Sequence, residues 1–476
     1  MEERRKCYIP MRVVLAINVF TATLMSYMMR VNLSIIIIAM VKPTGLSKRI
    51  SDSECIDAGN SSANTANVSL LDVGLFLYGE RYAWDQTSQG YILGGYFYGY
   101  VLTSFPGGII AEYIGPYQTV GVTTLISAAL TACTPFIASL HFSVILVNRM
   151  LLGALAGVVF PALQCLIARW VPPVEKGIFI GCLLGGTFGT VITWPLLSEV
   201  IMRMGWTWAF YVSGLLPGLW CIFWYLTVSN YPDQHRCIDE REKNYIQEAV
   251  SSNIAKKKAI PPYKAMFMSF PFWALVFLQF GNLWGLYLLL TIGPKFISEI
   301  LGFDIRKSGF LSALPHLTRL VSGFIFGAIG DYIRKRGKLS VTFVRKFFVL
   351  FSHMLPSVFL FLITMVGCNR MWAVAFMSLA LGFNGAATIT NLQNAQDLAP
   401  NFAGTIYGII NMTGNMAGFL APLIAGYVTQ ENNGLSEWHI VFWLGASIYM
   451  GCAIIFSFFG SGDVQPWNKK PDAGET

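Results

Sequence analysis

The stretch "MSYMMRVNLSIIII", residues 25–38, places a single arginine inside an otherwise largely apolar run. Predominantly apolar sequence continues from Val13 through Leu24 on one side and from Ile35 to Met40 on the other. A run of this length is enough for a membrane-crossing helix, which needs about 20 residues. Arg30, near its centre, then costs at least a few kcal/mol on the most lenient insertion scale. A chain keeps such a charge for a use.

The rest of the chain has the same apolar character. Of its 476 residues, 54% are hydrophobic, 14% aromatic and 12% charged, about half the charged share of an average soluble domain. A water-soluble fold of this composition would lack polar surface, so most of the surface must face lipid. Scanning for apolar runs of about 20 residues predicts twelve spans. They lie near 12–40, 89–111, 117–139, 143–168, 177–200, 207–229, 270–297, 308–330, 345–366, 371–391, 403–428 and 437–460.

An even number of spans puts both termini on one face. With a cytosolic N-terminus, the cytosolic segments hold 21 Lys and Arg residues and the opposite face 9, with Arg30, Arg149 and Arg319 inside spans. This bias matches the positive-inside rule. It accounts for the net charge of +8 by membrane side, and no nucleic-acid partner is expected. The first apolar run is too long for a cleavable signal peptide and lacks a small-x-small site. Asn60 and Asn67 head Asn-x-Ser/Thr sites in the first external loop, where glycosylation is expected. Cys55 and Cys368 are the external cysteines; one disulfide and two free thiols both fit. No metal-ligand spacing occurs.

A polar segment containing "DEREKNYIQEAV" at 239–250 divides six spans from six. The expected domains are an N-terminal six-helix bundle over 1–229, a cytosolic linker over 230–269, and a C-terminal bundle with its tail over 270–476. The two halves repeat a motif. Gly108 to Ile114 and Gly327 to Ile333 both read Gly-x-x-x-acid-Tyr-Ile, each in the second span of its half. Two parallel six-helix repeats around a central cavity predict an all-α membrane protein of the transporter type. The acids Glu112 and Asp331 fall at a cytosolic helix end. There a carboxylate can meet an arginine or a helix N-terminus in one state and release it in another. Arg169 and Asp397 complete the gating candidates. Glycines four apart, at 181, 185 and 189, at 153 and 157, and at 404 and 408, predict closely packed helix faces.

No Asp or Glu lies as deep as the three intramembrane arginines. An uncompensated buried charge is expensive, so the expected partner is an anion in a hydrated cavity. Tyr27 lies one helical turn before Arg30, and the pair suits a carboxylate or phosphate through a guanidinium fork plus a hydroxyl. Arg149 opens the fourth span and fits either a ligand contact or a snorkelling interface residue. Arg319 is deep in the eighth span, one turn after His316. Pro315 beside them frees the Leu311 carbonyl. His316 fits an anion contact, a proton relay or a satisfied core residue. Asn282 is a further polar group at depth, while Gln279, Asn384 and Asn391 read as amides that pin helices together. Phosphate-cradling glycine loops, Ser-His-Asp sets and His-Glu-x-x-His are absent. Neither an enzyme nor an ATP-driven pump is expected, and no cofactor.

Several segments carry a resemblance: "YMMRVNLSIIIIAM" (27–40), "YFYGYVLTSFPGGIIAEYIG" (96–115), "FPALQCLIARWVPPVEK" (160–176), "SGFLSALPHL" (308–317) and "DLAPNFAGTIYGIIN" (397–411). Together the chain resembles the anion:cation symporter family of the major facilitator superfamily, which includes sialin, the vesicular glutamate transporters and the sodium–phosphate cotransporters. The segment "DLAPNFAGT" (397–405) in particular resembles the insect inorganic phosphate cotransporters. The resemblance implies the major facilitator fold and alternating access, with Arg30 and Arg149 as the family's two anion-binding arginines. There are departures. Ala156 stands where proton-coupled members carry a Glu, Leu93 where the glutamate branch has a His, and Asn282 where that branch has an Arg. Asn394-Ala395-Gln396-Asp397 replaces Asn-His-x-Asp. These departures disfavour a vesicular glutamate transporter and remove the usual proton carrier.

The expected function is secondary active transport of small anions, inorganic phosphate or organic carboxylates, with sodium or a proton as coupling ion. The expected partners are that anion and the bilayer. A monomer is expected, in the plasma membrane or an endolysosomal or vesicular membrane. The alternative is a non-transporting anion-binding receptor or scaffold descended from a transporter.

Overall fold

The computed structural model describes residues 10–42, 79–104, 106–172, 179, 181–235, 237–254, 261–337, 339–400 and 402–468, with backbone alone at 249–254, 331 and 392. Asn60, Asn67 and Cys55 lie outside these residues. Cys368 is disulfide-bonded.

Helices occupy all twelve predicted span positions. They are α1 (Met11–Met40), α2 (Gln86–Ser104) followed by α3 (Gly107–Ile114), α4 (Pro116–Leu140), α5 (Phe142–Trp170), α6 (Gly185–Met204) and α7 (Trp206–Thr227). After the linker helix α8 (Glu240–Ile254) come α9 (Phe270–Thr291) with the short α10 (Gly293–Glu299), α11 (Ile305–Arg336), α12 (Val341–Ile363), α13 (Arg370–Leu398), α14 (Ala403–Val428) and α15 (Leu435–Phe459). Ten of them are long and apolar enough to cross a membrane by length and composition. α2 falls short because glutamine, tyrosine and glycine dilute its hydropathy, and α6 because glycine, threonine and Glu199 do. Leu102, Phe136, Leu226 and Phe458 are each more than two-thirds exposed on helix surfaces, as lipid-facing side chains are.

By proximity the chain divides into two compact units. The first holds Met1–Asn32, Gly95–Thr193 and Thr207–Lys258; the second holds Leu33–Gly94, Trp194–Trp206 and Ala259–Thr476. In the first unit, Trp170, Trp220 and Trp224 are buried in one apolar core with Val19, Leu163 and Leu166. Their indole N–H groups are satisfied: Trp170 donates to Ser229 O and Trp224 to Tyr117 O, both at 3.0 Å, and Trp220 to Thr21 Oγ1 at 2.9 Å. The linker helix joins this unit by charge. The Glu242 carboxylate accepts from the backbone N–H groups of Met11 (2.9 Å) and Arg12 (3.1 Å), which open α1, and from Arg12 Nε (3.0 Å). A carboxylate there satisfies orphan donors and meets the positive end of the helix dipole.

Glycine sets the distance between the helices that matter most in this unit. An added Cβ at Gly153 of α5 would collide with the Tyr96 carbonyl of α2, and one at Gly157 would lie 2.8 Å from the Tyr100 carbonyl. In return, Gly95 of α2 faces Leu146 and Arg149, and Gly99 faces the Met150 carbonyl. α6 meets α1 in the same way: Gly185 lies against the Phe20 carbonyl, Gly186 against the Tyr27 ring and Gly189 against the Leu24 carbonyl. The expected small faces at 153/157 and 185/189 are therefore contact faces. Gly181, Gly404 and Gly408 are not, because an added Cβ would meet nothing within 4 Å.

In the second unit, the first turns of α2 lie along α14. Gly90 faces the Pro422 carbonyl, Gly94 faces Phe419, and Gly426 faces the Gln86 carbonyl. Asp85 caps α2 by accepting from Ser88 N–H at 2.8 Å; that hydrogen-bonding residue holds its carboxyl below the usual carboxylate range. The last turns of α6 pack on α11, with Gly309 against Ser198 and Arg306 Nε 2.8 Å from a Glu199 carboxylate oxygen. Two basic residues that the charge census assigned to membrane-flanking segments are buried here. Lys295 is 4% exposed and donates to the side-chain oxygens of Gln86 and Gln89. Arg345 is fully buried, paired with Asp397 at 2.6 Å.

Gly153→Val is expected to destabilise the protein by about 1–3 kcal/mol, since a branched side chain must displace the α2 backbone. Gly404→Val should fall within about 0.5 kcal/mol of wild type, as a substitution into open space. Thermal unfolding of the purified protein in detergent compares the two.

Candidate functional site

In the first unit, α1 brings Tyr27, Arg30 and Asn32 to one level, and the glycine-mediated approach of α5 to α2 brings Arg149 and three aromatic rings to the same place. Arg30 is 6% exposed. Its guanidinium carbon lies 5.1 Å from the Tyr27 ring centroid, 5.5 Å from Tyr96, 4.6 Å from Phe97 and 5.0 Å from Tyr100. A cation over a desolvated ring gains about 2 kcal/mol or more, against about 0.5–1 at an exposed one. An aromatic cage therefore offsets much of the burial cost and keeps the guanidinium from snorkelling away.

Arg149 is 2% exposed, which removes the snorkelling reading. It donates from Nη1 to Asn32 Oδ1 at 3.3 Å and from Nη2 to the Arg30 carbonyl at 3.2 Å. Its Nε has no hydrogen-bond partner among the described residues. Its guanidinium carbon also lies 5.5 Å from the Tyr96 ring, so one tyrosine serves both cations. Asn32 is fixed in turn by donating to Ser213 Oγ of α7 at 3.1 Å. The sequences of α1, α2, α4 and α5 contain no Asp or Glu. Two guanidinium groups are thus held together by amides, carbonyls and rings on helices with no acid to neutralise them. Guanidinium groups can in general take an oxyanion through paired N–H···O bonds.

The remaining predicted site residues separate into other places. Arg319, half-buried on α11, donates from Nε to Asn384 Oδ1 at 3.0 Å. Asn384 in turn donates to Asn282 Oδ1 at 3.0 Å, so Arg319 and Asn282 belong to one cluster in the second unit. His316 is 2% exposed, its ring edge-on to Trp194 at 5.1 Å, with no hydrogen-bond partner for Nε2 among the described residues. His353 is satisfied: its ring nitrogens meet Ser352 Oγ at 2.7 Å and the Leu278 carbonyl at 2.8 Å.

Of the gating candidates, Glu112 is exposed near the end of α3. Arg169 lies over the Tyr231 ring at 4.7 Å. Asp397 pairs with Arg345 and lies 3.9 Å from Arg334. Asp331 is in α11, and its side chain lies outside the described residues. No cluster of three or more metal-ligating side chains occurs among the described residues. Sequence reasoning missed the aromatic cage. Its signal was present, because Tyr96 and Tyr100 stand one helical turn apart in "YFYGY" and Phe97 lies beside them.

Residues 19–422 match the model of the Major Facilitator Superfamily. Sialin of Homo sapiens is 34% identical over 454 residues, covering 95% of this chain and 90% of sialin. Vesicular glutamate transporter 2 of Homo sapiens is 33% identical over 400 residues, covering 83% of this chain and 68% of that protein. Among solved structures, a bacterial homologue of the human lysosomal transporter Spinster has a TM-score of 0.65 at 12% identity, covering 94% of this chain and 97% of its own. A D-xylose–proton symporter has a TM-score of 0.65 at 14% identity, covering 95% and 99%. The two structures speak to the fold alone. The chain is a multi-pass membrane transporter, not an enzyme, and it belongs to the Major Facilitator Superfamily, in the anion:cation symporter branch with sialin and the vesicular glutamate transporters.

Proposed function

We propose that this protein is a secondary transporter of small anions, inorganic phosphate or an organic carboxylate, driven by a cation gradient through alternating access. The observation that carries the reading is the Arg30–Arg149 pair, with Arg30 faced by Tyr27, Tyr96, Phe97 and Tyr100 and Arg149 by Tyr96, on helices without a carboxylate. The anion's oxygens take the guanidinium forks, and the Tyr27 hydroxyl adds a donor. Support also comes from vesicular glutamate transporter 2, which is named for a carboxylate cargo. Ala156 stands one residue before Gly157 on α5 and carries no proton, so sodium is the proposed coupling ion. Glu112, Arg169, Asp331 and Asp397 are assigned to the cytosolic gate. We place both termini in the cytosol, glycans on Asn60 and Asn67, and the monomer in the plasma membrane or an endolysosomal or vesicular membrane.

Uptake into proteoliposomes tests this reading, with labelled phosphate, glutamate, sialic acid and urate under sodium, proton and voltage gradients imposed one at a time. Flux of at least one anion is expected to require the sodium gradient. Arg30→Ala should lower it about 100-fold or more, the loss of a charge-assisted contact in a dry site. Anion binding without flux under any gradient, or wild-type flux in Arg30→Ala, would overturn it.

The aromatic cage gives a second test. Tyr96→Phe keeps the ring that both cations face, and the KM for the transported anion should stay within about threefold of wild type; Tyr96→Leu removes a desolvated cation–π partner and should raise it about tenfold or more. Equal KM values in the two variants would remove Tyr96 from the account.

A further inference from the structure

The turn from α11 to α12, in the second unit, has a defined shape. Gly337 ends α11 at φ +63°, the left-handed conformation that glycine adopts freely, and its N–H donates to the Arg334 carbonyl at 3.1 Å. Three residues later Ser340 caps α12, accepting from Phe343 N–H at 3.2 Å. The reversal leaves an apolar notch lined by Ile333, Leu339, Phe343, Val344, Phe347 and Phe348. Its floor is core, since Val344 and Phe348 are buried with Ala386 and Ile389 of α13. Its walls are not: Leu339, Phe343 and Phe347 are each about half exposed. The predicted span of α12 starts at residue 345, so the notch lies where the helix enters the membrane. An apolar concavity at that level is a seat for hydrocarbon.

The rim of the notch is basic. Residues 331–346 carry six Lys and Arg against one acid, Asp331. Arg345 pairs with Asp397, and Arg334 lies 3.9 Å from the same carboxylate. Arg336 stands over the Tyr332 ring at 4.5 Å and donates to its hydroxyl, which holds the guanidinium without neutralising it. Neither Arg336 nor Lys346 makes an ion pair among the described residues. Arg336 follows Ile333 by one helical turn and Lys346 follows Phe343 by one, which puts both cations on the notch side of their helices. Lys335 has the same charge but stands two residues from Ile333, round the far side of α11. The repeated motif does not require this charge. In the first half the matching turn after Ile114 has no Lys or Arg between Tyr113 and Asn148.

We propose that the turn between α11 and α12 is a binding site for an anionic phospholipid of the cytosolic leaflet. One acyl chain fills the notch, and the phosphorylated headgroup takes Arg336 and Lys346. An apolar seat beside unneutralised cations, at a helix end assigned to the cytosol, complements an amphiphile with an anionic head. The site shares no residue with the Arg30–Arg149 pair and does not depend on the anion-transport reading.

Native mass spectrometry of the full-length protein in detergent tests this. A phosphatidylinositol bisphosphate is the anionic probe, phosphatidylcholine the neutral one, and inositol trisphosphate a headgroup without chains. The anionic lipid should bind about tenfold or more tighter than either of the others. Arg336→Gln and Lys346→Gln should each weaken it about fivefold, whereas Lys335→Gln, an equal loss of charge away from the notch, should stay within about twofold. Phe343→Gln, at an exposed position, should weaken the lipid about fivefold and leave inositol trisphosphate unchanged. If Phe343→Gln does not fold, Phe347→Gln provides the same contrast. Equal affinity for phosphatidylcholine would mean an ordinary annular lipid, and equal affinity for inositol trisphosphate a patch for free phosphate. Equal losses in Lys335→Gln and Arg336→Gln would mean diffuse attraction. Any of these three results would overturn the proposal.

Discussion

A guanidinium that is 2% exposed, on helices without a carboxylate, has to be held by groups that do not cancel its charge. Arg149 meets that requirement with the Asn32 amide, the Arg30 carbonyl and the Tyr96 ring. Arg30 meets it with an aromatic enclosure. Amides, carbonyls and ring faces stabilise a cation without neutralising it. A carboxylate in either place would satisfy the charge and exclude an incoming anion. On the proposed reading, the absence of Asp and Glu from the sequences of these helices matters as much as the arginines.

The arrangement depends on how closely backbones can approach. Arg149 and Tyr96 share a level because Gly95 and Gly99 of α2 face α5 while Gly153 and Gly157 of α5 face α2. The Arg149 guanidinium lies 5.5 Å from the Tyr96 ring, so pushing the helices apart by about 1 Å would carry it past the ~6 Å reach of a cation–π contact. The same device on α6 makes room for the Tyr27 ring at Gly186. The fold's contribution to function is therefore a set of short interhelical distances, which small residues permit.

Much of this was legible in the sequence, for identifiable reasons. Span positions followed from apolar length, and the intramembrane arginines stood out because each was alone among apolar neighbours. Gly153 and Gly157 were readable from their four-residue spacing. Gly404 and Gly408 have the same spacing and face open space, because spacing gives a face and not a neighbour. Lys295 and Arg345 looked like flanking charges, since a charge near a span end is usually solvated; their burial depends on the partners Gln86, Gln89 and Asp397, which are far away in sequence. The asparagines of α9 and α13 were visible as polar residues at depth. Their joining by hydrogen bonds was not, because the Asn282–Asn384 and Gln279–Asn391 partners are 102 and 112 residues apart in sequence.

The central claim is that Arg149 is kept for an anion and not for the fold. Thermal unfolding of the wild type and Arg149→Gln, each with and without a saturating transported anion, addresses it most directly. If the claim holds, the variant without anion is at least as stable as the wild type, because a buried charge with an unsatisfied nitrogen has been removed. The anion then raises the midpoint of the wild type by several degrees and leaves the variant unmoved. A variant that loses several degrees without anion, and still gains the full shift when anion is added, would show that Arg149 serves the structure and contradict the account.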